Sequence, residues 1–408
     1  MMEKSLIESL TGEYGCPLYV FDKAGLVADF QRLQAAFRAC YPKYRIAYSY
    51  KTNYAPRICG IIRELGGLAE VVSDMEMTIA RKVGYPDDEI VYNGPTKGPL
   101  MENFLLNGGI VNIDNPAEAR RIVELAHSHP ERTLKVGIRV NMDVGQPFVS
   151  RFGMEAYTDE FDVVVKLLRE TPNVHLMGLH CHIGRSRGVD AWKARATYML
   201  GAADHYFECP LEFIDLGSGM FGNMEESLAQ QFGNDIPDFE DYAQAVAGEF
   251  SRHYAALPEE ERPWLLTEPG TTLISAHVSV ITRVTGIKHL RGKVFANLDC
   301  CLYNVGEMCR IKNLPVSVVP GDGERVHYDS IVLSGYTCLE YDVILPSYTG
   351  ELGVGDYVVV GNCGGYSNVS KPPFIAPNCA MVEWDGARST LFKRAETPED
   401  VLSTYIFE

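Results

Sequence analysis

The sequence predicts an α/β protein: a (β/α)8, TIM-like barrel joined to an all-β domain, either a β-sandwich or a small β-barrel. Three observations predict this fold. Eight strand-like runs alternate with stretches of helical periodicity, each run ends in a polar residue or a glycine, and short β-type runs replace this alternation after Gly270. We therefore predict a barrel at residues 24–275 and a β domain at residues 1–23 and 276–408.

The barrel strands are predicted from short apolar runs, and the helices from apolar residues that recur at helical spacing, as in Lys23–Cys40. Because the carboxyl ends of barrel strands meet at one mouth, the residues that end these runs are expected to converge. The eight predicted strands are Ile46–Tyr50, Leu68–Ser73, Glu89–Asn93, Ile110–Asp114, Leu134–Asn141, Val174–Ile183, Leu211–Leu216 and Trp264–Glu268.

The predicted β domain rests on short runs broken by Gly, Pro and Asp, and the N-terminal run Leu18–Phe21 is expected to join its sheet. The other runs are Val278–Val284, Val294–Asp299, Val316–Val319, Ile331–Leu333, Tyr357–Gly361 and Met381–Trp384.

Composition excludes several classes of function. The 408 residues include 54 acidic and 37 basic side chains, and the resulting formal charge of −17 repels nucleic acid and anionic membranes. We find no signal-like N-terminus and no run of apolar residues long enough to cross a membrane, so a cytoplasmic protein with a small-molecule substrate is expected. The eleven cysteines lack Cys-x-x-Cys spacing and are expected to be reduced thiols.

Lys51 ends the first predicted strand and is followed by turn-forming residues. A strand that delivers one amine to the mouth of a pocket suits Schiff-base chemistry, because a partly desolvated lysine loses its charge more easily and can then attack a carbonyl. A solvated loop lysine is the alternative interpretation.

Three further strand ends carry residues that suit a binding site. His180 and His182 alternate onto one inward face, which is compatible with stacking, with hydrogen bonding or with a shared metal ion. The turn Asp215–Gly222 is rich in glycine, and its backbone N–H groups can approach a phosphate. Glu268 supplies a carboxylate at the end of the eighth run.

The order of these motifs resembles that of the fold-type III pyridoxal-phosphate decarboxylases, and of the diaminopimelate and ornithine decarboxylase group in particular. The resemblance extends from about Gly15 to Asp400. Its motifs are Lys51, Ser150-Arg-Phe-Gly153, His180-x-His-Ile-Gly184, Asp215-Leu-Gly-x-Gly219, Glu268-Pro-Gly270, Gly335-x-x-Cys338-x-x-x-Asp342 and Gly364-Gly-Tyr366.

The resemblance implies that pyridoxal 5′-phosphate (PLP) is bound through a Schiff base to Lys51, with Glu268 at the pyridine nitrogen and His182 stacked on the ring. It also implies a homodimer with shared active sites, in which Cys338 from the partner subunit returns a proton to the α-carbon. The remaining cofactor-binding residues that it implies are Gly217, Ser218, Gly219, Gly270 and Tyr366.

The chain departs from the family pattern mainly at the substrate end. Thr271 stands where the family has arginine, Arg185 where it has serine, and Leu339 where it has an acid that pairs with a distal ammonium. Ser218 replaces a glycine and Tyr336 a proline. We therefore expect a PLP-dependent α-amino-acid decarboxylase, either a divergent diaminopimelate enzyme or a specialised-metabolism relative that acts on another α-amino acid. We expect Arg185 to bind the phosphate in place of the missing arginine, the alternative being that it binds a substrate carboxylate.

Three alternatives to a decarboxylase remain open from the sequence. An amino-acid racemase of the alanine-racemase type shares the barrel and the lysine but does not need the Cys338 segment. A metal-dependent barrel hydrolase would use the histidine pair, although no metal site is predicted. A non-catalytic relative would be expected to have lost Lys51 or Cys338, and both are present.

Overall fold

The computed structural model describes residues 2–143, 149–233 and 236–407, and its contacts divide the chain into two compact units. The barrel unit consists of Asp29–Phe221 and Pro237–Thr272. The β unit consists of Met1–Ala28, Gly222–Ile236 and Leu273–Glu408. The domain limits predicted from the sequence, at residues 24 and 275, stay a prediction.

The strands are numbered in chain order. They are β1 (Leu18–Asp22), β2 (Tyr44–Ser49), β3 (Leu68–Val71), β4 (Ile90–Tyr92), β5 (Ile110–Ile113), β6 (Leu134–Asn141), β7 (Met154–Glu155), β8 (Val174–His180), β9 (Phe213–Asp215), β10 (Trp264–Thr267), β11 (Val278–Leu290), β12 (Lys293–Leu298), β13 (Val316–Val319), β14 (Val326–Ser334), β15 (Val343–Leu352), β16 (Tyr357–Val360), β17 (Ala380–Trp384) and β18 (Ser389–Lys393).

The α-helices are numbered in the same way. They are α1 (Lys4–Tyr14), α2 (Lys23–Cys40), α3 (Pro56–Glu64), α4 (Asp74–Val83), α5 (Leu100–Leu106), α6 (Pro116–Ser128), α7 (Asp159–Arg169), α8 (Val189–Tyr206), α9 (Glu226–Ala229), α10 (Phe239–His253), α11 (Thr271–Ile274), α12 (Leu302–Val305) and α13 (Pro398–Leu402).

The predicted barrel is confirmed. Its strands pair in parallel in the order β5, β4, β3, β2, β10, β9, β8, β6, and pairing of β6 with β5 closes the ring. Every one of the eight runs expected from the sequence contributes one barrel strand. Because β2 lies between β3 and β10, residues at the carboxyl ends of these three strands are neighbours.

Local capping explains why helices begin directly after the barrel strands. The Ser73 hydroxyl accepts a hydrogen bond from the Glu76 amide and begins α4, while Gly84, with φ of 102°, ends it in the left-handed conformation. Asn115 caps α6 in the same way, and Pro116 occupies its first turn. Each side-chain cap contributes about 1 kcal/mol. The short strand-to-helix turns keep the polar strand ends at the mouth.

An apolar layer fills the barrel interior. Phe213 on β9 occupies space that glycine leaves open, since a Cβ at Gly178 would lie 2.2 Å from the Phe213 ring. A side chain at Gly178 would therefore displace the ring and open a core that is otherwise close-packed. The buried members of this cluster are Ala47, Leu68, Val91, Met177, Phe213 and Leu266.

The β unit is a mixed sheet, and the expectation that the N-terminal run joins it is confirmed. β1 pairs antiparallel with β11 and parallel with β17. The central path of the sheet runs β15, β14, β12, β11, β1, β17, β18, and β16 joins β11 to β13. The sequence interpretation missed α1, β15 and β18. None of the helices in the described ranges has both the length and the apolar composition needed to cross a membrane.

Candidate active site

Lys51 lies in a single 3-10 turn, Tyr50–Thr52, that follows β2. Its Nζ donates to Oγ of Ser49 at 2.8 Å and forms an ion pair with Oε2 of Glu70 at 3.0 Å. Glu70 is fully buried on β3, directly opposite Ser49 in the strand register. The amine is thus held at the mouth by a buried carboxylate from the neighbouring strand.

Glu70 was not predicted as a site residue. A signal for it exists in the sequence, because a carboxylate inside the short buried strand Leu68–Val71 is costly unless it is paired. The sequence does not reveal which cation pairs with it.

Gly270 lies beside the Lys51 turn and does not tolerate a side chain. A Cβ at this position would stand 2.1 Å from Oγ1 of Thr52 and 3.3 Å from Cβ of Ser49. The segment that follows Glu268 therefore packs closely against the segment that carries Lys51. The lack of a side chain at Gly270 is what permits this close packing.

Glu268 is buried immediately after β10 and gathers three side chains around its carboxylate. Nδ1 of His182 lies 2.8 Å from Oε2, at hydrogen-bond distance. Nε2 of His180 lies 3.0 Å from Oε1 without the angle of a hydrogen bond. The Asn93 amide also donates to Oε1, and Asn112 donates to Asn93 at 2.6 Å. Both imidazoles approach Glu268, as the alternation along the predicted run Val174–Ile183 indicates, although β8 itself ends at His180.

Charge and burial together set the protonation of this cluster. Burial opposes ionisation of Glu268, but the neighbouring His180 and the hydrogen bond with His182 hold its pKa well below its usual value. Burial lowers the pKa of His180 and of His182, and for His182 the charge of Lys51 adds to the effect. We infer an ionised Glu268 between two neutral imidazoles.

Asp215 lies beside Glu268 at the end of β9. Burial, and then the charge of Glu268, raise its pKa well above the usual range. Its Oδ1 accepts a hydrogen bond from the Gly217 amide at 2.8 Å. Two buried carboxyl groups this close do not both ionise at low cost, so Asp215 is the protonated member and Glu268 the charged one.

The turn that follows Asp215 is shaped by two glycines with positive φ, 62° at Gly217 and 112° at Gly219. A Cβ at Gly217 would lie 2.4 Å from the Cys181 carbonyl oxygen, and a Cβ at Gly219 would lie 2.6 Å from that of Ile183. Ser218 does not have a positive φ, which explains why a serine is tolerated where the family has glycine. The result is a compact turn packed against the loop after β8.

Arg185 lies in that loop and is exposed. It lines a cavity of about 570 Å³ in the barrel unit, together with His182, Ser150 and Asn141. A guanidinium and an imidazole therefore border the same space. Whether Arg185 binds the phosphate stays a prediction.

Cys338 and Tyr366 belong to the β unit, and their predicted roles stay predictions. Cys338 is exposed, and the buried Asp342 shapes its loop. Oδ2 of Asp342 accepts from the amide of Thr337 at 2.9 Å and from its hydroxyl at 2.6 Å, while Oδ1 accepts from the Leu302 amide at 2.8 Å. Tyr366 is partly exposed and has a φ of 55°.

The barrel mouth also brings together residues that could ligate a metal ion. His180, Asp215 and Glu268 offer ligand atoms that all lie within 4.8 Å of one another. The histidine pair considered from the sequence is not this set, because His182 is not a member. Glu268 of this set is the ionised carboxylate described above, and its two oxygens already lie at hydrogen-bond distance from His182 and Asn93.

The comparisons with known proteins agree with one another. Residues 27–275 match the family described as pyridoxal-dependent decarboxylase, pyridoxal binding domain. Diaminopimelate decarboxylases from Methanothermobacter thermautotrophicus and Neisseria meningitidis serogroup B are each 26% identical to the chain. The alignments cover 96% of this chain and 92% of the first relative, and 97% and 94% for the second.

Solved structures show the same fold. Diaminopimelate decarboxylase from M. jannaschii, solved with L-lysine, superposes with a TM-score of 0.85 at 22% identity over 99% of this chain and 94% of that one. The lysine decarboxylase of Selenomonas ruminantium gives a TM-score of 0.74 at 20% identity, with 98% of each chain covered.

The residues of the barrel mouth fit PLP. The mouth holds a primary amine at Lys51, a buried ionised carboxylate at Glu268, and a turn in which close packing leaves no room for a Cβ at Gly217 or Gly219, and these are groups that can interact with an aldehyde, a pyridine nitrogen and a phosphate. The family match covers more than half of the chain. The chain therefore belongs to the pyridoxal-dependent decarboxylases, with PLP as its cofactor.

Proposed function

We propose that this protein removes the α-carboxyl group of an amino acid at the barrel mouth, with Lys51 and Glu268 as the residues that hold the cofactor. The observation that carries the proposal is the pairing of β2 with β10, which brings a lysine amine held by buried Glu70 beside a buried, ionised carboxylate. An amine and an anion at adjacent strand ends match the two ends of a pyridoxal ring.

PLP, when bound, supplies the electron sink that stabilises the carbanion left by the departing CO₂. Lys51 would hold the cofactor covalently and release it to the substrate amine. Glu268 would keep the proton on the pyridine nitrogen, because its own pKa is held low by the neighbouring His180 and by its hydrogen bond with His182. His182 would contact the ring face while its Nδ1 remains on Glu268.

The phosphate would be held at the turn from Gly217 through Ser218 to Gly219 by the backbone N–H groups of Ser218 and Gly219, since the Gly217 amide donates to Asp215. Gly270 would keep the neighbouring segment close. Positive φ at Gly217 and Gly219 is compatible with the concave turns whose backbone N–H groups bind anions. Arg185 and the Tyr366 hydroxyl would complete the phosphate contacts.

Cys338 would return a proton to the α-carbon after CO₂ leaves, acting across a homodimer in the active site of the partner subunit. Support comes from its exposure and from the loop that Asp342 anchors, since a donor that serves another subunit has to stand at the surface of its own.

The substrate would be an α-amino acid whose side chain does not end in an isolated ammonium group. Leu339 follows Cys338 and offers no carboxylate to pair with such a group. The relatives are named diaminopimelate decarboxylases, so a diaminopimelate-like substrate with a distal carboxylate is the first candidate. A cytoplasmic location accords with amino-acid metabolism.

The test has two parts. Purified protein loaded with PLP is reduced with borohydride and the modified peptide is mapped, and CO₂ release is then measured over a panel of L- and D-amino acids. We expect the label on Lys51 and none in Lys51→Ala. Lys82→Ala, an exposed lysine on α4, is the matched control and should retain both label and activity.

A label on Lys97 or on another lysine would contradict the assignment of Lys51. A second outcome is that PLP is trapped on Lys51 and an amino acid is racemised, but no amino acid of the panel releases CO₂. This outcome would support the cofactor site and contradict the decarboxylase activity.

A further inference from the structure

Arg195 is a buried cation on α8. Only 1% of its surface is exposed, and none of the described carboxylates lies within ion-pair distance of its guanidinium. Its Nη1 donates to the carbonyl oxygens of Leu216 at 2.9 Å and Ser218 at 3.0 Å, and its Nη2 to that of Ile183 at 3.1 Å. Removing an unpaired charge from water is costly, so a guanidinium held only by carbonyl groups calls for an explanation.

The three carbonyl groups belong to two neighbouring loops. One is the glycine turn (Leu216–Gly219), which follows β9, and the other is the loop that follows β8. Leu216 and Ser218 flank Gly217, whereas Ile183 lies in the loop after β8, against which Gly219 packs. The planar guanidinium group of Arg195 therefore fixes the spacing between the two loops. Because the guanidinium group fixes the Ser218 carbonyl, it also fixes the other end of that peptide, the Gly219 N–H, as a donor for a ligand, whereas the Gly217 N–H donates to Asp215.

Aromatic packing immobilises this guanidinium. Its Cζ lies 4.2 Å from the centroid of the Trp192 ring, one turn earlier on α8, and Trp192 packs edge-on against Tyr242 of α10 at 5.7 Å. The Tyr242 hydroxyl in turn accepts from the Phe221 amide at 3.1 Å, beyond the far end of the glycine turn. Arg195 is thus part of a packed support that extends along the whole turn.

We propose that Arg195 is a positioning residue for the phosphate group of the cofactor: it fixes the glycine turn and places an uncompensated positive charge behind it. The inference rests on the proposed function, because it requires the phosphate to bind at this turn. A phosphate carries nearly two negative charges, and a cation buried in a low-dielectric interior acts on it with little screening. Arg195 acts through the backbone of Leu216 and Ser218.

The experiment compares PLP with pyridoxal, which has the same ring and aldehyde but no phosphate. Dissociation constants of both are measured by absorbance titration of cofactor-free protein, for the wild type, Arg195→Met and Arg195→Lys. We expect Arg195→Met to weaken PLP binding by about ten- to a hundred-fold, the size of a lost charged hydrogen bond, and pyridoxal binding by less than about two-fold. Arg195→Lys should lie between the wild type and Arg195→Met for PLP.

Arg169→Met is the matched control. Arg169 also donates to a backbone carbonyl, that of Tyr206, and stacks on an aromatic ring, that of Phe207 at 4.8 Å, but it makes no contact with the turn. It should leave the ratio of the two dissociation constants unchanged. If Arg195→Met does not fold, Arg195→Lys is judged by the same ratio.

Ionic strength separates Arg195 from Arg185. Salt at about 0.5 M screens an exposed guanidinium strongly and a buried one weakly. Preference for PLP over pyridoxal that persists in salt and in Arg185→Ser supports Arg195 as the cation. If the preference for PLP over pyridoxal is lost both in salt and in Arg185→Ser, then Arg185 is the cation that attracts the phosphate, and the proposed charge role of Arg195 is overturned.

Equal losses of PLP and pyridoxal in the Arg195 variants, or no loss of either, would overturn the proposal. Failure of the proposed function would look different: the wild type itself would then show no borohydride-trappable PLP on Lys51.

Discussion

Nζ of Lys51 lies 3.0 Å from Oε2 of Glu70, and the two residues come from the carboxyl ends of adjacent strands. The carboxylate is almost fully shielded from solvent, while the amine is about a quarter exposed, with 27% of its side chain accessible. The Ser49 hydroxyl bridges them, since it donates to Glu70 at 2.5 Å and accepts from Lys51. The buried carboxylate and the hydroxyl therefore hold the Lys51 amine in a defined position.

A double-mutant cycle on the cofactor-free protein measures this pair. We expect Lys51→Met to lower the free energy of unfolding by about 3 kcal/mol, because it leaves Glu70 buried without its cation. The double variant Lys51→Met, Glu70→Gln should recover about 1–3 kcal/mol of that loss. Urea unfolding of the wild type, both single variants and the double variant provides the four values. Strictly additive effects would show that the pair contributes nothing to stability.

Subunit mixing tests the shared active site. Lys51→Ala and Cys338→Ala are each expected to be inactive, and random exchange between them should restore about one quarter of wild-type activity, because half of the dimers are mixed and each has one complete site. CO₂ release after mixing is the measurement. Cys209→Ala, at another exposed cysteine, serves as the control and should remain active alone. No recovery despite proven exchange would place Cys338 outside the partner's site.

Leu339 is expected to discriminate against substrates that end in an ammonium. Burying such a charge opposite an apolar side chain costs on the order of several kcal/mol, which lowers turnover by orders of magnitude. Lysine and ornithine should therefore react slowly, and Leu339→Asp should raise kcat/KM for ornithine. Leu339→Asn is the matched uncharged control. Efficient ornithine turnover by the wild type would show that another acid, such as Glu340, binds the ammonium.

Glu76 should make stability depend on pH. Burial raises its pKa to about 7, and the hydrogen bond from the Val72 amide offsets only part of that effect. The pKa of Glu76 is higher in the folded protein than in the unfolded chain. The contribution of protonated Glu76 to the free energy of unfolding is therefore complete below about pH 4.5 and is lost as the pH rises through about 7. We expect the unfolding free energy of the wild type, relative to Glu76→Gln, to fall by at most about 3 kcal/mol between about pH 5 and about pH 8.

Urea unfolding at both pH values checks the Glu76 prediction. Glu64→Gln, at an exposed acid on α3, should keep the pH dependence of the wild type. A parallel profile for Glu76→Gln and the wild type would contradict a buried, titrating carboxyl group at this position.

The positions of the eight barrel strands, the start of β1 and helix α2 follow from the sequence alone, because hydrophobic periodicity acts over a few positions. The same local signals placed Lys51, His182, Gly217 and Glu268 at strand ends, where a barrel gathers its chemistry. β15 was missed because its alternating pattern is interrupted by Pro346 and Gly350.

Which side chains meet was decided by tertiary structure. Glu70 reaches Lys51 because the register of β2 and β3 sets Ser49 opposite Glu70, and register depends on pairing between strands rather than on either strand. Nothing in the sequence distinguishes Arg195 from other positions of a long helix. Its guanidinium meets the carbonyl oxygens of Leu216 and Ser218 only in the folded protein. Side-chain type and spacing are properties of the local chain, whereas pairing, burial and the resulting protonation of Glu268 exist only when distant segments exclude water from one another.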